Sequence, residues 1–200
     1  MKMNNFNASA ICILMLLLGC KCKDDGVPTL YLSQESKDYC LYQPGSWWVY
    51  QSEQSLQYDT LKITGVQNEI LFSKNTNQNF ERYKISIEIK QLLGVKAIEL
   101  ETGDRESNLY AKHNGGSSDM LYFDSPSYTK DSISDGPYWK YTEYVDSLSI
   151  KNETYHSIKY FSSFKLIEYK NIYWAKHIGI IKLEKPNGEI WNLVNYSVKQ

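Results

Sequence analysis

Between residues 80 and 90 the chain alternates one apolar residue with one polar residue. Tyr83, Ile85, Ile87 and Ile89 fall on one side, and Lys84, Ser86, Glu88 and Lys90 on the other. A period of two predicts a strand, and one wet face is typical of antiparallel sheets. The same rhythm marks Asp59–Thr64, where Leu61 and Ile63 share a face. Ser46–Gln51 carries apolar groups on both sides and predicts a covered strand. Glu69–Lys74, Val95–Leu100, Asn108–Lys112, Met120–Phe123, Tyr138–Val145, Leu148–Lys151 and Tyr155–Phe161 read as further short strands. Turn signals stand between them at Gln43-Pro44-Gly45, Thr102-Gly103-Asp104, Asn114-Gly115-Gly116 and Lys151-Asn152-Glu153. Ser125–Gly136, rich in Ser and Asp, reads as a loop.

The chain closes with a predicted long hairpin, Ile172–Glu184 and Ile190–Val198, turned by Pro186-Asn187-Gly188. Gly179 interrupts the first arm and predicts a bulge or tight bend. Ile181 and Leu183 are expected on one face of that arm. Ile190, Val194, Tyr196 and Val198 are expected on one face of the second. No helical period longer than two turns follows residue 30, and there are no repeats. The pattern predicts a single all-β domain over residues 39–200, an antiparallel curved sheet or half-barrel, with a β-sandwich as the alternative.

The N-terminus follows different rules. Lys2 precedes an apolar run, Ala8–Leu18, too short to span a bilayer, which needs about 20 apolar residues. Residues 1–19 read as a secretory signal peptide. Its end, Leu17-Leu18-Gly19-Cys20, resembles the lipidation box of bacterial lipoproteins, which implies cleavage before Cys20 and acylation of its thiol, as with palmitate. Residues 20–38 read as a solvated tether. Within it, Lys23-Asp24-Asp25 resembles the export signal of Bacteroidota surface lipoproteins. The expected address is the outer membrane, at the cell surface or on the periplasmic leaflet. Removing Lys2 leaves 21 basic against 23 acidic residues, a net charge near −2. That balance gives no electrostatic case for nucleic acid or for anionic lipid headgroups.

Pro44-Gly45-Ser46-Trp47-Trp48-Val49-Tyr50, followed by Asp59-Thr60-Leu61-Lys62-Ile63-Thr64, resembles the opening of a group of uncharacterised Bacteroidota lipoproteins. Asn171-Ile172-Tyr173-Trp174-Ala175-Lys176-His177-Ile178-Gly179-Ile180-Ile181-Lys182 resembles the closing strand of that group. The resemblance implies a curved antiparallel sheet, similar to the half-barrel of lipoprotein carriers of the LolA/LolB type, and no known activity. His177 stands where the group favours Gly, which questions a positive-φ role there.

Motifs for hydrolysis, phosphate binding and redox chemistry are missing from the sequence. His113, His156 and His177 each stand alone, without metal-ligand spacing. No catalytic residue, metal or cofactor is predicted. Carboxylates are numerous, so a glycan-active enzyme using a carboxylate pair is the alternative function. The main expectation is a non-enzymatic envelope lipoprotein whose domain binds an apolar ligand, a glycan or a protein partner. The aromatic stock, including 17 Tyr, suits stacking on sugars or lining a groove as well as filling a core. Cys22 and Cys40 are a candidate disulfide, while a buried Cys40 acting as a small hydrophobe is the other reading. Asp59-Thr60-Leu61, Asp131-Ser132-Ile133 and Asp146-Ser147-Leu148 resemble the O-glycosylation triplet of Bacteroidota envelope proteins, making Thr60, Ser132 and Ser147 candidate sites. Ser132 lies in the most loop-like sequence.

Overall fold

The computed structural model describes residues 26–89, 95–102, 107–113, 118–122, 138–163 and 169–200. These residues form twelve strands and one helix, α1 (Gln34–Cys40). The strands are β1 (Thr29–Leu30), β2 (Trp47–Ser52), β3 (Tyr58–Ser73), β4 (Gln78–Glu88), β5 (Val95–Thr102) and β6 (Ser107–His113). They continue with β7 (Ser118–Tyr122), β8 (Tyr138–Ile150), β9 (Glu153–Ser163), β10 (Asn171–Ala175), β11 (Gly179–Glu184) and β12 (Ile190–Ser197).

All twelve strands belong to one curled sheet, in the order β1-β4-β3-β2-β12-β11-β10-β9-β8-β7-β6-β5. β5 also pairs with β4, so the far edge of the curl returns to its beginning. The fold is an all-β single domain on one strongly curled sheet, of the half-barrel kind, and the strands do not divide into the two sheets of a sandwich. Two short parallel pairings, β1–β4 and β7–β8, make the sheet mixed. The remaining pairings are antiparallel.

The alternating faces land as the pattern predicts. Ile85 and Ile87 are buried on β4, with Tyr83 and Ile89 packed against the core. Leu61 and Ile63 are buried on β3, and Ile181 and Leu183 on β11. Glu69–Lys74 is not a separate strand. It continues β3 after a bulge between Ile63 and Gly65. Tyr138–Val145 and Leu148–Lys151 likewise merge into the unbroken β8.

The closing segment differs from its prediction in two ways. The supposed first arm is itself a hairpin: β10 and β11 pair antiparallel, from Asn171 opposite Glu184 to Ala175 opposite Gly179. The reversal needs left-handed backbone, supplied by His177 at φ +61° and Gly179 at φ +104°. On β12 the buried hydrophobic residues are Trp191 and Leu193, not Ile190 and Val194. A bulge between Leu193 and Asn195 then shifts the phase, so that Tyr196 and Val198 do pack against the core. One extra residue moves every later side chain to the opposite face.

The folded part begins earlier than composition suggests. Residues 29–38, expected to belong to the tether, form β1 and most of α1, and Leu32 and Ser36 are buried, as is Tyr39 just beyond. Ser33 caps the helix by accepting from the Ser36 amide. The Tyr39 hydroxyl donates to the Ser157 carbonyl, and the Trp174 indole donates to the Tyr39 carbonyl. Lys159 pairs with Glu35 at 2.9 Å and lies over the Tyr39 ring. The helix is thus clamped to β9 and β10. Ser157 adopts φ +53°, and its carbonyl also accepts from the Lys176 amide.

Candidate binding groove

Two spaces open between these elements. The first is a small apolar cleft of about 40 Å³, walled by Tyr42, Trp48, Tyr50, Ile63, Ile85 and Trp174 among others. Tyr42 and Trp48 meet edge-to-face there, at 5.0 Å between centroids. The indole of Trp48 donates to the Ile178 carbonyl, and the hydroxyl of Tyr50 donates to the Ile180 carbonyl. Burial pushes the Tyr50 phenol far above its ordinary value, so it remains a neutral donor. Benzene needs an apolar cavity of roughly 150 Å³. Among the described residues, the space between Ile85 and the β10–β11 hairpin is therefore largely filled by aromatic side chains.

The second space is a groove of about 470 Å³ at one end of the curled sheet. That is within the roughly 300–1,000 Å³ range of small-ligand sites. Its formation follows from strand lengths. β9 pairs with β10 only from Ile158 to Ser162, so the β8–β9 hairpin runs past β10 and its turn reaches β2. The Lys151 ammonium donates to Gln51 Oε1 at 2.7 Å, and Gln51 Nε2 donates to the Tyr58 hydroxyl oxygen at 2.9 Å. Lys151, at φ +53°, is the first residue of the two-residue turn predicted from Lys151-Asn152-Glu153.

The lining is mixed. Ile150, Leu193 and Val194 give it an apolar floor, and Gln51, Lys151, Asn152 and Glu153 supply donors and acceptors. Tyr155 donates to Glu153 Oε2 at 2.7 Å. Burial, and then the nearby Glu153 carboxylate, push the Tyr155 phenol well above its usual range, so it stays protonated and holds that carboxylate in place. Tyr58 presents its ring at the rim, 65% exposed. Beside it Leu56 is also 65% exposed, at φ +58°. A bulky side chain in left-handed backbone is costly, and exposing it recovers nothing from burial. Glu153 is the one carboxylate in the lining among the described residues. The acid–base pair of a glycosidase is not assembled by those residues.

The sequence-predicted sites lie elsewhere. Cys20, Cys22 and Ser132 fall outside the described residues. Cys40 is buried at the end of α1, 4% exposed, against the small apolar cleft. Thr60 is exposed but paired within β3, opposite Val49. Ser147, expected beside a loop, is exposed within β8 opposite His156. His156 is an exposed strand residue, and His177 occupies the β10–β11 turn, where its Nδ1 lies 2.7 Å from Gln200 Oε1. His113 ends β6. Sequence reasoning missed the groove, because the curl joins residues about a hundred positions apart. The one local signal was the Lys151-Asn152 turn. No family model, curated protein or solved structure matches this chain.

Proposed function

We propose that this chain is a lipid-anchored outer-membrane protein, held through Cys20, whose domain is a binding module and not an enzyme. Its ligand site is the groove between the β8–β9 turn and β2–β12, and its ligand is a short glycan. The observation that carries the reading is the groove itself: ligand-sized, apolar at its floor, ringed by amide, ammonium and carboxylate groups, with the Tyr58 ring at the rim. Sugars present apolar C–H faces and dense hydroxyls, which match an aromatic platform and paired polar groups. The resemblance to carriers of the LolA/LolB type supports the curled sheet, but the 40 Å³ cleft favours a surface ligand over a carried acyl chain.

Titration of the mature protein in detergent with a panel of envelope oligosaccharides should show saturable binding. Tyr58→Ala should weaken it about tenfold, the equivalent of ~1.4 kcal/mol and near the upper range for an aromatic contact. Saccharides that fail to bind at millimolar concentration, with Tyr58→Ala indistinguishable from wild type, would overturn the assignment.

A further inference from the structure

We infer that the β3–β4 hairpin end of the domain rests on the bilayer holding the anchor, with Ile70 and Phe72 seated in its headgroup boundary. The inference depends on the acylated Cys20 proposed above. Ile70 and Phe72 are 49% and 50% exposed on the same face of β3. Scattered exposed apolar residues are ordinary on a soluble surface. What singles out these two is where the chain enters the fold.

Phe72 lies opposite Asn79 in the β3–β4 ladder. The amide of Asn79 donates to the Pro28 carbonyl at 2.8 Å, and its side chain donates to the Val27 carbonyl at 3.3 Å. The tether therefore arrives beside Phe72. Only seven residue steps separate Val27 from Cys20. Fully extended they span about 25 Å, and a flexible chain of that length averages about 15 Å end to end. So short a linker holds the hairpin at high effective concentration over the surface. The overall charge does not draw the domain to anionic headgroups, but the hairpin end itself carries no acidic group to repel them. From Ile70 to Phe80 the sole ionisable residue is Lys74, a cation able to sit among anionic headgroups. Glu69, just outside this stretch, is neutralised by Arg82 and Lys84.

The full-length acylated protein, reconstituted in vesicles of phosphatidylethanolamine and phosphatidylglycerol that carry a photoactivatable diazirine in their acyl region, gives the test. Label should enter the Ile70–Lys74 peptide severalfold more than the Leu56–Tyr58 peptide. The double variant Ile70→Ser/Phe72→Ser should lose that label while still floating with the vesicles and keeping its far-UV circular dichroism. Equal labelling of the two peptides, or label unaffected by the double variant, overturns the inference. If the protein is acylated by intact mass and floats, such a result overturns the membrane contact alone. An unacylated protein that does not float overturns the anchor as well.

Discussion

His177 and Ser157 bear the strain that lets α1 dock. Both adopt positive φ without being glycine, and both lie in its seat. The Ser157 carbonyl takes the Tyr39 hydroxyl, and the His177 amide donates to the Asp38 carbonyl at 2.9 Å. Lys176 adds an ion pair to Asp38 at 3.1 Å. Left-handed backbone costs an L-residue roughly 1–2 kcal/mol, and glycine avoids that cost. His177→Gly should therefore raise stability by about 1 kcal/mol, after allowing for glycine's greater unfolded-state freedom and the lost Gln200 contact. In a chain of this size that is roughly 2–4 °C in thermal midpoint. An unchanged or lower midpoint by calorimetry would mean that the imidazole contacts outweigh the strain. Gly179 should tolerate less. It has φ +104°, and a Cβ there would meet Trp48 Nε1 at 3.2 Å. The expectation that a histidine at position 177 argues against a positive φ there is overturned by its φ of +61°. His alone carried no signal for the turn, so the β10–β11 reversal was hidden in what reads as one continuous strand.

At the level of elements, single-period alternation was enough to place the faces of β3, β4 and β11, because each has one face in the core. Alternation failed where the phase changes, at the β12 bulge, since nothing local marks Val194 as the inserted residue. The seven-residue α1 is too short to show a helical period, and its Lys37 and Glu35 look like tether charge. Its attachment is mostly long-range. Glu81, buried on β4, accepts from the Leu32 amide at 3.0 Å and pairs with Lys37 at 2.9 Å. Tyr83 adds its hydroxyl at 2.8 Å. Burial pushes the Glu81 carboxyl upward, but Lys37, Tyr83 and the Leu32 amide together outweigh it and leave the group below its usual value. Burial likewise works against the Lys37 ammonium, and Glu81 more than restores it, so that lysine titrates above its ordinary range. The signs fix the pH window. The carboxylate contribution is complete above the unfolded value near 4.5 and fades as pH falls through the lower folded value. The lysine contribution is complete below 10.5 and fades as pH rises through its higher folded value. Glu81→Ala should cost about 2–4 kcal/mol, because it leaves Lys37 and the Leu32 amide without their acceptor. Hydrogen exchange should show β1 and α1 opening first in acid, and Glu81→Gln should flatten that acid dependence. Acid loosening confined to other strands would refute the clamp.

For the molecule as a whole, β3 sets the distance between its two ends. It starts at the groove with Tyr58 and reaches the tether entry at Phe72, fourteen residue steps away, or roughly 45 Å of strand. The entry of the N-terminal segment at Val27–Pro28 and the groove therefore lie at opposite ends of β3. Neither end was readable in full from the sequence: the tether's docking on β4 runs through β1 and α1, which carry no periodic signal, and the groove depends on a hairpin tip folding back to Gln51. Separation has a testable consequence. Cys20→Ser should block cleavage and acyl labelling, and the protein should leave the outer-membrane fraction. Yet its affinity for saccharide should stay within about twofold of wild type, since independent sites this far apart add with only ~0.5 kcal/mol of error. Replacing Lys23-Asp24-Asp25 by alanines should instead keep acylation and affinity but move the domain from the cell surface to the inner leaflet. Protease added to intact cells reads that change directly, through loss of cleavage. Unchanged cleavage with intact acylation would show that the cluster is only tether. A large fall in affinity on Cys20→Ser would show that the anchor and the groove are coupled, against the geometry of β3.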